Sequence, residues 1–277
     1  MANILIIGCG AIGTALAHQL IGQGHHVFAI KRNPPSEQGK IHYIAADITS
    51  ATEMANLVIS VNIVFFIVSA DGRTEQSYRD VYETGLQNAL NKFAKQPWFF
   101  VSSTSVYGQS QGEWVDENSP TEPEAITSQL IWQAEQRIAA LNPKNVVVRF
   151  SGIYGPGREY LLRTAQNAPI IQQNPPYFTN RIHQQDCVGV LAFLLTQRLA
   201  GVDLEQCYLA SDNDPASLWE VMSWLAEQMH CSAPIAKVAD TGAGQNKRCN
   251  NSRLTALGYQ FAYSSYKDGY TPLIKHE

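Results

Sequence analysis

The feature that most constrains this chain is a cluster of three glycines near its start. The segment Gly8-Cys9-Gly10-Ala11-Ile12-Gly13 separates the apolar run 4–7 from an amphipathic stretch, 11–23. In a G-x-G-x-x-G pattern, the first glycine permits a tight turn, the second lets a diphosphate approach the main chain, and the third lets the helix pack close to the strand. A glycine-rich turn without a ligand is the alternative. The strand–turn–helix context favours a dinucleotide-binding site formed by these six residues.

Apolar runs and helical patterns alternate over the first 150 residues, which predicts a parallel sheet with helices on both faces. The fold class is therefore α/β, a Rossmann-like doubly wound parallel sheet with a smaller C-terminal substrate lobe. We assign residues 1–155 to the dinucleotide-binding domain, with one more strand near 206–209, and residues 156–277 mainly to the smaller lobe. The predicted strands are 4–7, 27–30, 41–45, 63–68, 98–101 and 146–150.

The predicted helices follow apolar positions at helical spacing and capping patterns. Leu57–Ala70 is interpreted as a helix end that runs into a buried strand, and Glu113–Glu124 as a polar loop. The remaining helices are expected at 74–93, 126–141, 184–197 and 217–229, the last with a Ser217/Glu220 capping box.

The end of the second strand indicates which dinucleotide is bound. An acidic residue there would accept hydrogen bonds from the ribose hydroxyls of NAD, but this strand ends in Lys31-Arg32-Asn33. Two cations suit a 2′-phosphate, so NADP is favoured over NAD, although a solvated basic turn would give the same sequence. Asp47, followed by Ile48, either meets the adenine or caps the next helix.

The charge, the cysteines and the acidic residues argue against several other kinds of partner and binding site. The formal net charge is −4 without a block of like charges, so we predict neither nucleic acid nor a membrane as a partner. The five scattered cysteines form no CxxC pair, which favours free thiols in a reducing cytoplasm. Asp212-Asn213-Asp214 lacks further ligands at loop spacing, so no metal site is predicted.

The strand predicted at 98–101 runs into the segment "SSTSVYG", residues 102–108. Together with "GCGAIG", "AADIT", "WQAEQ", "VVVRFSGIYGPGR" and "NRIHQQD", in this order, it resembles the extended and atypical branches of the short-chain dehydrogenase/reductase superfamily, the NAD-dependent epimerase/dehydratase-like proteins. The resemblance covers nearly the whole chain. It implies a small-molecule substrate, such as a carbonyl compound or a sugar nucleotide, and is compatible with a homodimer through helices 74–93 and 126–141.

The resemblance also implies roles for individual residues. Ser103 would hydrogen-bond the reacting oxygen of the substrate, and Thr104 would also contact the substrate. Arg149, Ile153 and Tyr154 would lie near the nicotinamide end, with Arg181 near the substrate cleft and His183 and Asp186 at the domain junction. We further assign to the cofactor site Val68, Ser69, Ala70, Ser102 and Phe150.

One element of the family pattern is missing. The family uses Y-x-x-x-K, in which tyrosine is the acid/base and lysine lowers its pKa. With the register set by "WQAEQ", these positions are Thr127 and Ile131, and the helix 126–141 contains neither tyrosine nor lysine. Tyr107, Tyr154 or His183 could carry the proton instead.

Two functions therefore remain open. The first is an NADP(H)-dependent oxidoreductase or sugar-nucleotide epimerase-like enzyme of atypical type. The second is a catalytically silent NADP-binding protein that senses redox state, which the missing pair favours. Fold alone does not decide between them.

Overall fold

A computed structural model describes residues 1–36, 39–237 and 244–274. Its centre is a seven-stranded sheet in the order β11-β7-β5-β4-β1-β2-β3. This order, with parallel pairing of β1 to β2 and β4, is the predicted doubly wound α/β fold. The strands are β1 (Asn3–Ile7), β2 (His26–Lys31), β3 (His42–Ala45), β4 (Ile63–Phe66), β5 (Trp98–Ser103), β6 (Glu113–Val115), β7 (Val146–Phe150), β8 (Gly152–Tyr154), β9 (Ile170–Gln172), β10 (Arg181–His183), β11 (Cys207–Ala210), β12 (Ile235–Lys237) and β13 (Lys247–Cys249).

Burial on both faces explains the continuous apolar runs of the central strands. All four residues of β4 are buried, as are Ile4–Ile7 of β1. Phe65 and Phe99 stack across β4 and β5 with ring centroids 4.8 Å apart. The predicted return of the chain near 206–209 is confirmed, because β11 lies at one edge of the sheet.

The helices are close to the predicted ranges. The capping box predicted at Ser217 is present, with the Ser217 hydroxyl accepting from the Glu220 N–H at 3.2 Å. The helices are α1 (Ala11–Gly22), α2 (Ala51–Ala55), α3 (Glu75–Arg79), α4 (Leu86–Phe93), α5 (Ile126–Leu141), α6 (Tyr160–Ala165), α7 (Gln184–Leu199), α8 (Leu218–Gln228), α9 (Ser252–Ala256) and α10 (Tyr266–Tyr270).

Two predictions of local structure are wrong. No helix enters Leu57–Ala70, because α2 ends at Ala55. Asn3 fixes the segment that follows by donating from its main-chain N–H to the Asn62 side chain and from its side-chain amide to the Ser60 carbonyl. The loop expected at 113–124 begins with β6, which pairs with the distant β13. The long helix expected at 74–93 is present as a continuous helical stretch, in which a π-helical turn, Asp80–Gly85, joins α3 to α4.

The chain divides into two compact units. The first comprises Met1–Val106, Glu122–Arg149 and Val188–Tyr208. The second comprises Tyr107–Thr121, Phe150–Cys187 and the described part of Leu209–Glu277. A search of the described helices for one long and apolar enough to cross a bilayer finds none.

Candidate functional site

The glycine segment forms a tight turn where β1, β2 and β4 end. The N–H of Gly8 donates to the Ile30 carbonyl at 3.4 Å, and the N–H of Ile67 donates to the Ile7 carbonyl at 2.8 Å. Gly8 has a φ of +94°, and a Cβ there would lie 2.5 Å from the Ile67 oxygen. A side chain at Gly8 is therefore excluded by both backbone conformation and contact.

The other two glycines of the motif differ from each other in what surrounds them. A Cβ on Gly13 would lie 2.5 Å from the Gly8 carbonyl oxygen, so the helix packs against the turn too closely for any side chain. A Cβ on Gly10 would meet no atom within 4 Å. Packing explains Gly13, whereas the open space at Gly10 fits the diphosphate approach predicted from the motif.

A cavity of about 560 Å³ in the first unit opens beside this turn. Its volume lies within the range of small-molecule and cofactor sites. The predicted cofactor residues that line it are Gly8, Cys9, Gly10, Lys31, Arg32, Asp47, Ile48, Val68 and Ser69. The predicted residues Ala11, Ile12, Gly13, Asn33 and Ala70 are not among the lining residues.

The two cations at the end of β2 both line this cavity. The Arg32 guanidinium donates to the carboxylate of Asp71, and both side chains are largely exposed, at 57% and 69%. This hydrogen bond and the Asp71 charge raise the pKa of Arg32. A charged, exposed guanidinium at this place can bind a phosphate by paired hydrogen bonds.

Asp47 was expected either to meet the adenine or to cap the next helix. The cap of α2 is instead Ser50, whose hydroxyl accepts from the Glu53 N–H at 3.3 Å. Asp47 lines the cavity and accepts from both the N–H and the hydroxyl of Thr49 at 2.8 Å. The capping alternative is therefore wrong.

At the end of β5, Ser102 belongs to a buried polar network. Its hydroxyl donates to Glu135, which also forms an ion pair with Arg149 at 2.6 Å. The Glu135 and Arg149 side chains are only 2% and 7% exposed. A buried ion pair is stable only when its charges are fully hydrogen-bonded. Because Ser102 and Arg149 both satisfy the buried Glu135 carboxylate, this geometry favours a structural role for the two residues.

Ser103 and Thr104 follow at the same strand end. The Ser103 hydroxyl is half-buried and accepts from the Ser105 N–H at 3.1 Å. Thr104 begins a short 3₁₀ helix, Thr104–Val106, and is buried. The Ser103 hydroxyl can still donate a hydrogen bond to a substrate oxygen.

The remaining predicted site residues lie in the second unit. Phe150, at the end of β7, and Ile153, in β8, belong to it. Tyr107 is fully buried, and its hydroxyl donates to the Asp116 carbonyl at 2.7 Å. Because this hydroxyl is already engaged inside the unit, the geometry favours a packing role for Tyr107.

Tyr154 and His183 belong to an aromatic cluster in the second unit. The Tyr154 ring stacks on Tyr270 at 4.5 Å and meets His183 edge-on at 5.3 Å. Burial raises the pKa of Tyr154 and lowers that of His183. A tyrosine with a raised pKa is a poor base, whereas a neutral imidazole can accept a proton.

Two buried charged groups lie beside this cluster. Arg181 is 3% exposed and Asp212 is 1% exposed, and the N–H of Asp212 donates to the Arg181 carbonyl at 2.7 Å. Within the described residues, the Arg181 Nε and one Asp212 carboxylate oxygen have no hydrogen-bond partner. Burial lowers the pKa of Arg181 and raises that of Asp212 to about 8.

Sequence reasoning missed several lining residues, above all Asp71 and Asp80. Asp71 lies five residues beyond the carboxyl end of β4, the edge at which ligands bind in such sheets. That position is the signal that could have identified it. Asp80 lies in the π-helical turn, which the helical pattern of 74–93 does not indicate.

Residues 4–198 match the NAD dependent epimerase/dehydratase family. The chain is 33% identical to a protein from Methylobacillus flagellatus named as an NAD-dependent epimerase/dehydratase, with 98% and 97% of the two chains covered and a TM-score of 0.81. It is 27% identical over 214 residues to the epimerase family protein SDR39U1 of Bos taurus, covering 70% of each chain. Thermus thermophilus UDP-glucose 4-epimerase in complex with NAD shares the fold, at 16% identity, 96% coverage of both chains and a TM-score of 0.75. The chain belongs to the NAD-dependent epimerase/dehydratase family.

Proposed function

We propose that the chain is an NADP-binding oxidoreductase or epimerase/dehydratase-like enzyme of atypical type. The observation that carries this proposal is the cavity of about 560 Å³ that joins Gly8 and Gly10 to Lys31 and Arg32. The exposed main chain at the glycines suits a diphosphate. The two cations at another part of the cavity suit a 2′-phosphate. When bound, a nicotinamide dinucleotide supplies hydride-transfer chemistry.

The chain's own residues would then bind the coenzyme and orient the substrate. The main chain at Gly8 and Gly10 would meet the diphosphate, and Lys31 with Arg32 would hold the 2′-phosphate. Ser103 would orient an oxygen of a small substrate, either a carbonyl compound or a sugar nucleotide. A protein of the same fold in complex with UDP-glucose and NAD supports the second class.

Calorimetric titration of both coenzymes tests the NADP preference. Arg32→Ala should weaken NADP⁺ binding by about 10- to 100-fold, the value of a hydrogen-bonded charge pair, and leave NAD⁺ binding nearly unchanged. Lys31→Ala should act in the same direction. Lys92→Ala removes another cation of the same unit, which donates to the Ala55 carbonyl, and should change neither affinity. Unchanged NADP⁺ affinity in both cavity variants would reject the preference.

A second function, an NADP-binding redox sensor, is supported by α5. With the register set by "WQAEQ", the family's tyrosine and lysine positions on this helix correspond to Thr127 and the buried Ile131. A threonine hydroxyl is a poor base at neutral pH, and isoleucine cannot hydrogen-bond a ribose. The usual proton-transfer pair is therefore incomplete.

Turnover separates the two functions. Net oxidation of NADPH with carbonyl compounds, or conversion of nucleotide sugars to epimers or dehydrated products without net NADPH consumption, would support the enzyme. Ser103→Ala should then reduce turnover while coenzyme affinity stays the same. The exposed Ser110→Ala is the matched control. Tight NADP⁺ binding without turnover of any compound would favour the sensor.

The cellular setting and oligomeric state are part of the same proposal. None of the five cysteines, all of which lie in the described part of the chain, forms a disulfide bond, which supports a reducing cytoplasm. A homodimer through the helices of 74–93 and 126–141 is tested by light scattering, which should give twice the chain mass of 30.6 kDa.

A further inference from the structure

We propose that Asp71 sets the coenzyme specificity of the cavity by competing with the 2′-phosphate of NADP for the Arg32 guanidinium. This inference rests on the proposed function, because it concerns how strongly Arg32 can favour NADP. It assigns a specificity role to a carboxylate that follows β4 and lies far in sequence from the cations after β2.

Three observations bring Asp71 into the coenzyme site. Asp71 and Arg32 both line the cavity beside Gly8 and Gly10. The Arg32 guanidinium donates directly to the Asp71 carboxylate. Both side chains are more than half exposed, so the pair is accessible to a ligand that enters the cavity.

The acidic residues that line the cavity limit its attraction for the 2′-phosphate of NADP. Lys31 and Arg32 are matched there by three carboxylates, Asp47, Asp71 and Asp80. Of these, Asp71 and Asp47 act on the Arg32 charge, with Asp71 the larger influence. The two cations that the sequence offers to a 2′-phosphate are therefore partly neutralised before any ligand binds.

The planar fork of an arginine satisfies one carboxylate or phosphate best, because its paired donors point in fixed directions. NADP must displace or share Asp71 to reach Arg32, and its 2′-phosphate also meets the Asp71 charge. NAD carries a neutral hydroxyl at this place and requires no such displacement. Asp71 thus lowers NADP affinity selectively and allows the same cavity to accept both coenzymes.

The test is a double-mutant cycle on the full chain, with NADP⁺ and NAD⁺ titrated by calorimetry at low salt. Asp71→Asn should tighten NADP⁺ binding about tenfold, from the freed guanidinium and the lost repulsion, and change NAD⁺ binding less than about twofold. The gain should shrink as salt is raised, because exposed charges are screened. In the Arg32→Ala background, the same substitution should have an effect of less than about threefold.

Asp80→Asn is the matched control. Asp80 lines the same cavity, but its carboxylate accepts from Gln76 at 2.8 Å. Its removal should change both affinities by a similar factor and leave their ratio unchanged, since it does not engage Arg32.

The outcomes separate this inference from the function on which it rests. If Arg32→Ala weakens NADP⁺ binding and Asp71→Asn does not tighten it, competition by Asp71 is rejected and the NADP preference stands. An equal gain with and without Arg32, or a loss of NAD⁺ affinity in Asp71→Asn, also overturns the competition. If Arg32→Ala leaves NADP⁺ binding intact, competition for Arg32 is rejected, and if Lys31→Ala leaves it intact as well, the NADP preference itself fails.

Discussion

Alanine substitutions in the glycine motif should separate its role in coenzyme binding, at Gly10, from its role in packing, at Gly13. At Gly10, φ is −81° and an added Cβ would meet no atom within 4 Å. Gly10→Ala should change the free energy of unfolding by less than about 1 kcal/mol, because restriction of the unfolded chain offsets the poorer helix cap. The new methyl group would fill the space assigned to the diphosphate, so NADP⁺ affinity should fall at least about tenfold, or about 1.4 kcal/mol.

The same substitution at Gly13 should have a different effect on stability. The added Cβ would lie 2.5 Å from the Gly8 carbonyl oxygen and 3.3 Å from the Ile6 Cγ2. Because the nearest atom belongs to the main chain and cannot rotate away, overpacking should cost about 1–3 kcal/mol. Denaturant unfolding of the coenzyme-free variants measures this difference.

Gly22→Ala is the control for both variants. Gly22 ends the same helix, and a Cβ there also meets nothing within 4 Å. This change should leave coenzyme affinity unaltered. The reasoning is refuted if Gly10→Ala binds NADP⁺ within about twofold of the parent, or if Gly13→Ala is as stable as Gly10→Ala.

Three further predictions concern stability. Glu135→Gln should lower the free energy of unfolding by about 3–5 kcal/mol, because it leaves the buried Arg149 without a charged partner. Glu75→Gln, in an exposed ion pair on a helix, should lower it by only about 0.5 kcal/mol in the same denaturation assay. Asp212 has a pKa of about 8 in the folded chain against 3.8 as its ordinary value, so the native state binds more protons and stability falls as pH rises between these values. Asp212→Asn should flatten that fall, and equal slopes in both proteins would contradict it. Ser217→Ala should cost about 1 kcal/mol, measured by thermal unfolding, through loss of the capping box.

Much of the first unit could be predicted from the sequence because its signals are local. Continuous apolar runs predict β1 and β4, and the spacing of the glycines predicts the turn that follows β1. Lys31 and Arg32 could also be identified from local sequence, since the end of the second strand occupies a fixed place at the ligand-binding edge of the sheet.

The features that escaped prediction depend on contacts between distant segments. β6 pairs with β13, more than 130 residues later, and its three residues are too few to show the alternating pattern of a strand. The pairing of Arg32 with Asp71 joins two loops 39 residues apart. The resemblance placed Arg149 near the nicotinamide, while Glu135 entered only as part of a motif, so their buried ion pair was missed.

The cavity beside the glycine turn is proposed to bind a nicotinamide adenine dinucleotide, with a preference for the one that carries a 2′-phosphate. Calorimetric titration of the purified chain with NADP⁺ and with NAD⁺ at low salt tests it most directly. We predict saturable binding of one equivalent of either coenzyme, with the smaller dissociation constant for NADP⁺. Absence of heat with both would contradict the assignment of the cavity, and tighter binding of NAD⁺ would contradict the role given to Lys31 and Arg32.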